Sequence, residues 1–268
     1  MLLGYLTMGA VTVGVFVAAE SRYPDLVVGT TGPLLIQSVV GTLVFGGLTW
    51  LIGRRALRLS RAELGWTSAR VGLPGFLKGF GLALGLAVAA QAAGLAAHSA
   101  WRLDGGGFGS YLARLALLAG LLLPAALMEE LAFRGAAIAG MARGVGRLGA
   151  VLVTSVLFSL AHRDNTGVTA IGFGNIAVAG AFLGLTFFAR GGLWTATGAH
   201  LGWNLALAGL AAPVSGNAFD IPWIDFEPGT PAWLTGGNFG PEGGLLATGA
   251  LLIGVVVVGR WRRLEEPS

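Results

Sequence analysis

Apolar runs long enough to cross a bilayer recur along this 268-residue chain, and no other feature limits its fold so tightly. Only 11% of the residues are charged, under half of the roughly 25% that wets the surface of a soluble domain. Most of the outside must therefore face hydrocarbon, whose ~30 Å core takes about 20 residues of helix to span. The stretches 2–19, 33–53, 75–100, 111–140, 149–162, 168–189, 193–211 and 244–260 qualify. The expected fold is an all-α polytopic membrane bundle of about eight transmembrane helices, a single domain over 1–268 with no internal repeat and no linker. The stretch 2–19 lacks a basic leader and a small-residue cleavage site, so it reads as a retained span rather than a signal peptide. At about 45 Å, a helix over 111–140 is too long for the bilayer, so it must tilt, kink at Pro124 or begin outside.

Charge placement orients the bundle. The basic residues are 16 Arg and one Lys, scattered between apolar runs, which leaves no basic domain for nucleic acid to bind. Basic residues collect in cytoplasmic connections. Arg54, Arg55, Arg58, Arg61, Arg70, Arg143, Arg147, Arg190, Arg260, Arg262 and Arg263 fall on one side of the alternation, against Arg22, Arg102 and Arg163 on the other. Both termini are thus expected in the cytoplasm, with the acidic 212–243 loop outside. The chain contains no cysteine, so disulfides, thiolate metal sites and cysteine nucleophiles are excluded. Glycines four apart, Gly75/Gly79, Gly81/Gly85, Gly180/Gly184 and Gly198/Gly202, each share a helix face and allow close backbone approach.

Charges at bilayer depth cost on the order of 3 kcal/mol and mark cavities or function. The stretch 111–140 carries Glu129, Glu130 and Arg134. Glu130 and Arg134 stack at i,i+4 in the favourable order. Glu129 is turned about 100° away and left available. His162 ends one apolar stretch, while His200 shares a helix face with Asn204 in another. Counted along their helices, these groups lie within about 12 to 20 Å of the cytoplasmic surface, close enough to meet in one layer. The polar residues Arg163, Asp164 and Asn165 arrive before a crossing is complete, which implies a hydrated cavity beside His162. His98 has no polar companion at helical spacing and reads as interfacial.

Two carboxylates, two imidazoles, an arginine and an amide suit peptide hydrolysis. Glu129 and His162 can take a proton from water, His200 and Asn204 can bind the oxyanion, and Arg134 can hold Glu130 so that it braces the helix bearing Glu129. Without a serine–histidine pair in this layer, covalent catalysis is less attractive.

The motifs Glu-Glu-x-x-x-Arg at 129–134, Phe-x-x-x-His at 158–162 and His-x-x-x-Asn at 200–204 occur in this order on successive helices. Together they resemble the CPBP family of CAAX-protease and bacteriocin-processing membrane proteins, also called Abi, related to the Ras-converting CAAX endopeptidase of eukaryotes. The stretch 231–246 also resembles a loop of bacterial members.

The resemblance implies an eight-helix intramembrane endopeptidase with catalytic core helices over 111–211. Glu129 and His162 match the water-activating pair, His200 and Asn204 the oxyanion pair, and Glu130, Arg134 and Phe158 play supporting parts. No cofactor is required by this reading. A single divalent metal such as zinc would take Glu129, His162 and His200, although Asn204 is a poor zinc ligand and a good hydrogen-bond donor. The expected partners are membrane lipid and a membrane-associated peptide or protein substrate. The Arg, Ala and Gly bias points to the inner (plasma) membrane of a prokaryote, where prenylated substrates are not expected. Two other readings remain open, a non-catalytic partner-binding or immunity protein of the same fold and a small transporter. The absence of matching halves counts against the transporter.

Overall fold

The structure is a computed structural model that describes residues 31–261. The stretch 2–19, both termini, Arg22, Arg262 and Arg263 lie outside the described residues. Helix α1 (Thr31–Leu48) runs on as a π-helical segment, Thr49–Ala56. Then follow α2 (Ala69–Gly94), α3 (Phe108–Arg134), α4 (Ala136–Ala161), α5 (Ala170–Phe187), α6 (Leu193–Gly209), the short α7 (Ala232–Thr235) and α8 (Leu245–Gly259). Gly32–Ala56, Ala69–Ala97, Phe108–Ala161 and Ala170–Phe187 are long and apolar enough to cross a membrane, and Leu245–Gly259 is a shorter apolar helix. Leu43, Leu73, Leu77, Leu152 and Ile253 are exposed on these helices, as a lipid-facing surface requires. Inside, one apolar core runs without interruption from Phe45 to Val258.

The structure corrects the expected helix boundaries. Pro124 stays inside α3, and the 111–140 stretch breaks instead at Gly135, whose tail continues as α4 through 149–161 with a bend at Gly146 (φ 72°). The cause is a neighbour. A side chain at Gly135 would place its Cβ 2.4 Å from the Thr49 hydroxyl. That hydroxyl donates to the Leu131 carbonyl at 3.4 Å, satisfying a carbonyl that the ended helix leaves over.

The bundle is also not wholly helical. A two-stranded antiparallel sheet pairs β1 (Ala100–Leu103) with β2 (Ile224–Glu227), Ala100 opposite Glu227. An Arg102–Glu227 ion pair of 2.7 Å closes it.

Three of the four glycine pairs lie at helix contacts. Cβ atoms at Gly198 and Gly202 would lie 2.2 and 2.3 Å from the Phe76 and Phe80 carbonyls of α2, and one at Gly79 would meet the Thr195 carbonyl of α6 at 2.3 Å. Gly180 and Gly184 seat α5 on Ser155 and Val151 of α4. Gly81 and Gly85 differ from expectation, since nothing lies within 4 Å of a Cβ built at either and both are exposed. Their spacing puts them on one face, but that face is turned away from the bundle.

The two ends of the bundle differ in charge. One end gathers Arg54, Arg55, Arg58, Arg61, Arg70, Arg143, Arg147, Arg190 and Arg260. It is tied together by Arg143 with Glu63 at 2.6 Å, Leu193 N–H with the Gly65 carbonyl and Lys78 over the Trp261 ring. At this end Ser60 and Arg143 hydrogen-bond the Glu63 carboxyl. Although partial burial pushes that carboxyl up, these bonds prevail and hold it below the ordinary carboxylate range. The opposite end carries the sheet, the turn after His162 and the 210–244 segment. Its described basic residues sit beside acidic ones: Arg102 with Glu227, Arg163 with Asp164, and Arg114 donating to the Asp220 carbonyl.

Candidate active site

Three helices bring the sequence motifs together. The glycine contacts draw α6 against α2, fixing the height of His200, while α3 packs between α1 and α6 and carries Glu129 and Glu130 on different faces. Helix α4 ends at His162, which caps it.

Glu130 and Arg134 are fully buried and paired at 3.1 Å. Glu130 does more than brace its own helix, because the same Oε1 accepts from His200 Nδ1 at 2.8 Å. That bond links α3 to α6 and turns the His200 ring so that Nε2 faces Glu129. Arg134 also donates to the Gly180 carbonyl of α5 at 3.1 Å and lies over the Phe158 ring at 4.4 Å. Phe158 in turn packs against the His162 ring, centroids 4.5 Å apart, and edge-on to His200 at 6.1 Å. One aromatic ring thus spaces the arginine and both imidazoles.

His162 Nδ1 is 2.8 Å from the Phe158 carbonyl. A carbonyl only accepts, so Nδ1 carries the proton and Nε2 is left as the acceptor. Glu129 Oε2 lies 3.7 Å from His162 Nε2 and 3.8 Å from His200 Nε2. Among the described residues this buried oxygen has no hydrogen-bond partner. Both separations exceed a direct hydrogen bond and suit a small molecule held between the three groups.

These groups line a cavity of about 370 Å³ that also takes in Asn204, Phe158 and Trp203. The volume is that of a small ligand site, and its mixed lining includes the polar groups that water needs.

As placed, the set is slightly wider than a tetrahedral metal would draw it. Bonds of about 2.0 to 2.1 Å put neighbouring ligand atoms about 3.4 Å apart, closer than the separations here. Among the described residues no three His, Asp or Glu side chains form a group able to hold a metal ion.

Sequence reasoning missed Glu242. The sequence places it in the outer 212–243 loop, yet it is buried and lines the cavity. Its carboxylate accepts from Trp203 Nε1 at 3.1 Å and from the backbone and hydroxyl of Ser215. Its own carbonyl accepts from Asn175 of α5 at 2.8 Å. Ser215 completes a chain across the cavity by accepting from Asn165, three residues beyond His162. Burial pushes the Glu242 carboxyl above the ordinary range, against these donors and the nearby His162. The available signal was an acid flanked by proline and glycines, with no basic residue nearby in sequence, just before an apolar helix. His98 plays no part in this cavity; it sits in a left-handed turn at the end of the helical segment after α2.

Comparison with known proteins adds one finding. No curated protein and no solved structure matches the chain. Residues 111–206 match the family model described as type II CAAX prenyl endopeptidase Rce1-like. That segment holds Glu129, Glu130, Arg134, Phe158, His162, His200 and Asn204 and leaves Glu242 outside. Residues 111–206, which supply most of the cavity's polar wall, are thus similar to a CAAX-type prenyl endopeptidase domain.

Proposed function

We propose that the protein is an intramembrane endopeptidase that hydrolyses a peptide bond of a membrane-associated peptide or protein with water activated by Glu129 and His162. The observation that carries this reading is the unpartnered Glu129 oxygen between two imidazole Nε2 atoms, at 3.7 and 3.8 Å. A water held there gives one proton to Glu129 while His162 Nε2 accepts its other hydrogen in a hydrogen bond. The hydroxide equivalent attacks the carbonyl carbon. Charge then develops on the carbonyl oxygen, which accepts from the Asn204 amide and from Nε2–H of a doubly protonated His200, with Glu130 as counter-charge at Nδ1. The C–N bond breaks as Glu129 passes its proton to the leaving amine, and the carboxylate is restored. No step requires a metal.

In this reading 1–268 is one membrane domain of about eight helices with 111–211 as its catalytic core. Its basic end lies in the cytoplasm, and the membrane is the inner membrane of a prokaryote.

The test compares wild type with Glu129→Ala, His162→Ala and Asn204→Ala on a peptide library in detergent. Cleavage is expected to vanish in the first two and to fall by about 10² to 10³ in the third, the effect of removing one oxyanion donor. Undiminished cleavage by Glu129→Ala overturns the assignment.

A further inference from the structure

The cavity has a direction. Its lining includes Leu34 and Gln37 at the start of α1, Asn165 in the turn after His162, and Ser215, Asn217 and Glu242 from the 210–244 segment. All of these belong to the acidic end of the bundle. Among the described residues, none from the basic-end turns 57–68, 135–148 and 188–192 lines it. Asn217 is exposed and Glu242 buried, so the cavity runs inward from an open mouth at the acidic end. At that end the described arginines sit beside acidic residues, whereas the basic end holds most of the arginine in the chain. Translocation retains clustered arginine on the cytoplasmic side.

Taken together, and resting on the protease reading above, these observations lead us to propose that the site opens to the extracytoplasmic face of the membrane. Its substrate is an already translocated polypeptide segment, entering as an extended chain. The mouth supports this with the amide oxygens of Asn165 and Asn217, acceptors for the N–H groups of a peptide backbone, while the donors of Asn165, Ser215 and Asn217 are held within the protein. Deeper in, Leu122, Phe158, Phe182 and Phe219 offer apolar walls to its side chains. A cytoplasmic lipidated tail would approach the opposite end, where a separate pocket lined by Leu48, Ile52, Leu57 and Gly140 meets this cavity only at Phe45 and Ala132.

The cysteine-free chain makes the test free of background. Single-cysteine variants Asp164→Cys and Asn217→Cys at the acidic end, and Arg58→Cys at the basic end, are expressed as full-length protein in intact cells. They are then treated with a membrane-impermeant maleimide. Asp164→Cys and Asn217→Cys are expected to react from outside, and Arg58→Cys only once the membrane is opened. Ala218→Cys, also exposed, repeats the mouth reading should Asn217→Cys fail to accumulate. Reaction of Arg58→Cys in intact cells with Asp164→Cys protected reverses the orientation and overturns the proposal. Reactive Asp164→Cys with unreactive mouth positions overturns the opening. The pattern is also read in the Glu129→Ala background, where it should persist. Loss of the protease reading, seen as cleavage that survives Glu129→Ala, is therefore distinct from loss of this one.

Discussion

Glu130 has no exposed surface, and neither does Arg134. A charge in that position costs several kcal/mol unless it is paired, so removing either partner leaves the other stranded. Arg134→Met is expected to lower stability by about 3 to 5 kcal/mol, read as a fall in melting temperature in detergent. Glu242→Ala strands the Trp203 indole and two Ser215 donors, each orphaned group costing about 1 to 3 kcal/mol. Cleavage should drop with it, and Glu242→Gln should recover part, because its amide oxygen still accepts from one donor. If Glu242→Ala keeps both wild-type melting and wild-type kcat and KM, the positioning role is wrong. The Glu130–Arg134 pair was legible in sequence because both partners sit on one helix. The bond from His200 to Glu130 was not, since nothing local announces a partner 70 residues away. Glu242 was hidden for the same reason: its donors come from α6 and from a turn, and a lone acid in a loop looks solvated until the loop is seen folded inward.

Between elements, the closest fit is that of α2 and α6, where Gly198 and Gly202 meet the Phe76 and Phe80 carbonyls. A methyl group at Gly198 would push against rigid backbone, and overpacking of this kind costs about 1 to 3 kcal/mol. Gly198→Ala is therefore expected to lower the melting temperature and, by shifting α6, the cleavage rate. Gly81→Ala, facing open space, should leave both unchanged, and equal behaviour of the two variants would refute the packing account. The length of the apolar runs indicated most helices, and helical spacing the shared faces of these glycines. Spacing alone did not distinguish a face turned to a neighbouring helix from one turned to lipid, because both favour small or apolar residues. Nor did it place the break at Gly135, which depends on Thr49 of another helix rather than on any signal within 111–140.

Across the whole molecule, the division of charge between the two ends follows from counting arginines in alternate connections, and so was readable before any coordinates. The depth of the site was legible only in part. Counting along helices brought Glu129, His162 and His200 into one layer but measured it from the basic end, whereas the cavity is entered from the other. The metal-free mechanism makes a further expectation: purified protein should keep its cleavage activity after dialysis against a strong chelator, with less than one metal per chain by elemental analysis. Stoichiometric zinc lost in His162→Ala would establish the metal-dependent chemistry instead. His162 is both the final cap of α4 and the owner of the Nδ1–H that grips the Phe158 carbonyl. If the last coil of α4 frays, the imidazole swivels and its tautomer is no longer specified. In the protease reading, hydrolytic competence is thus conditional on a single wound turn.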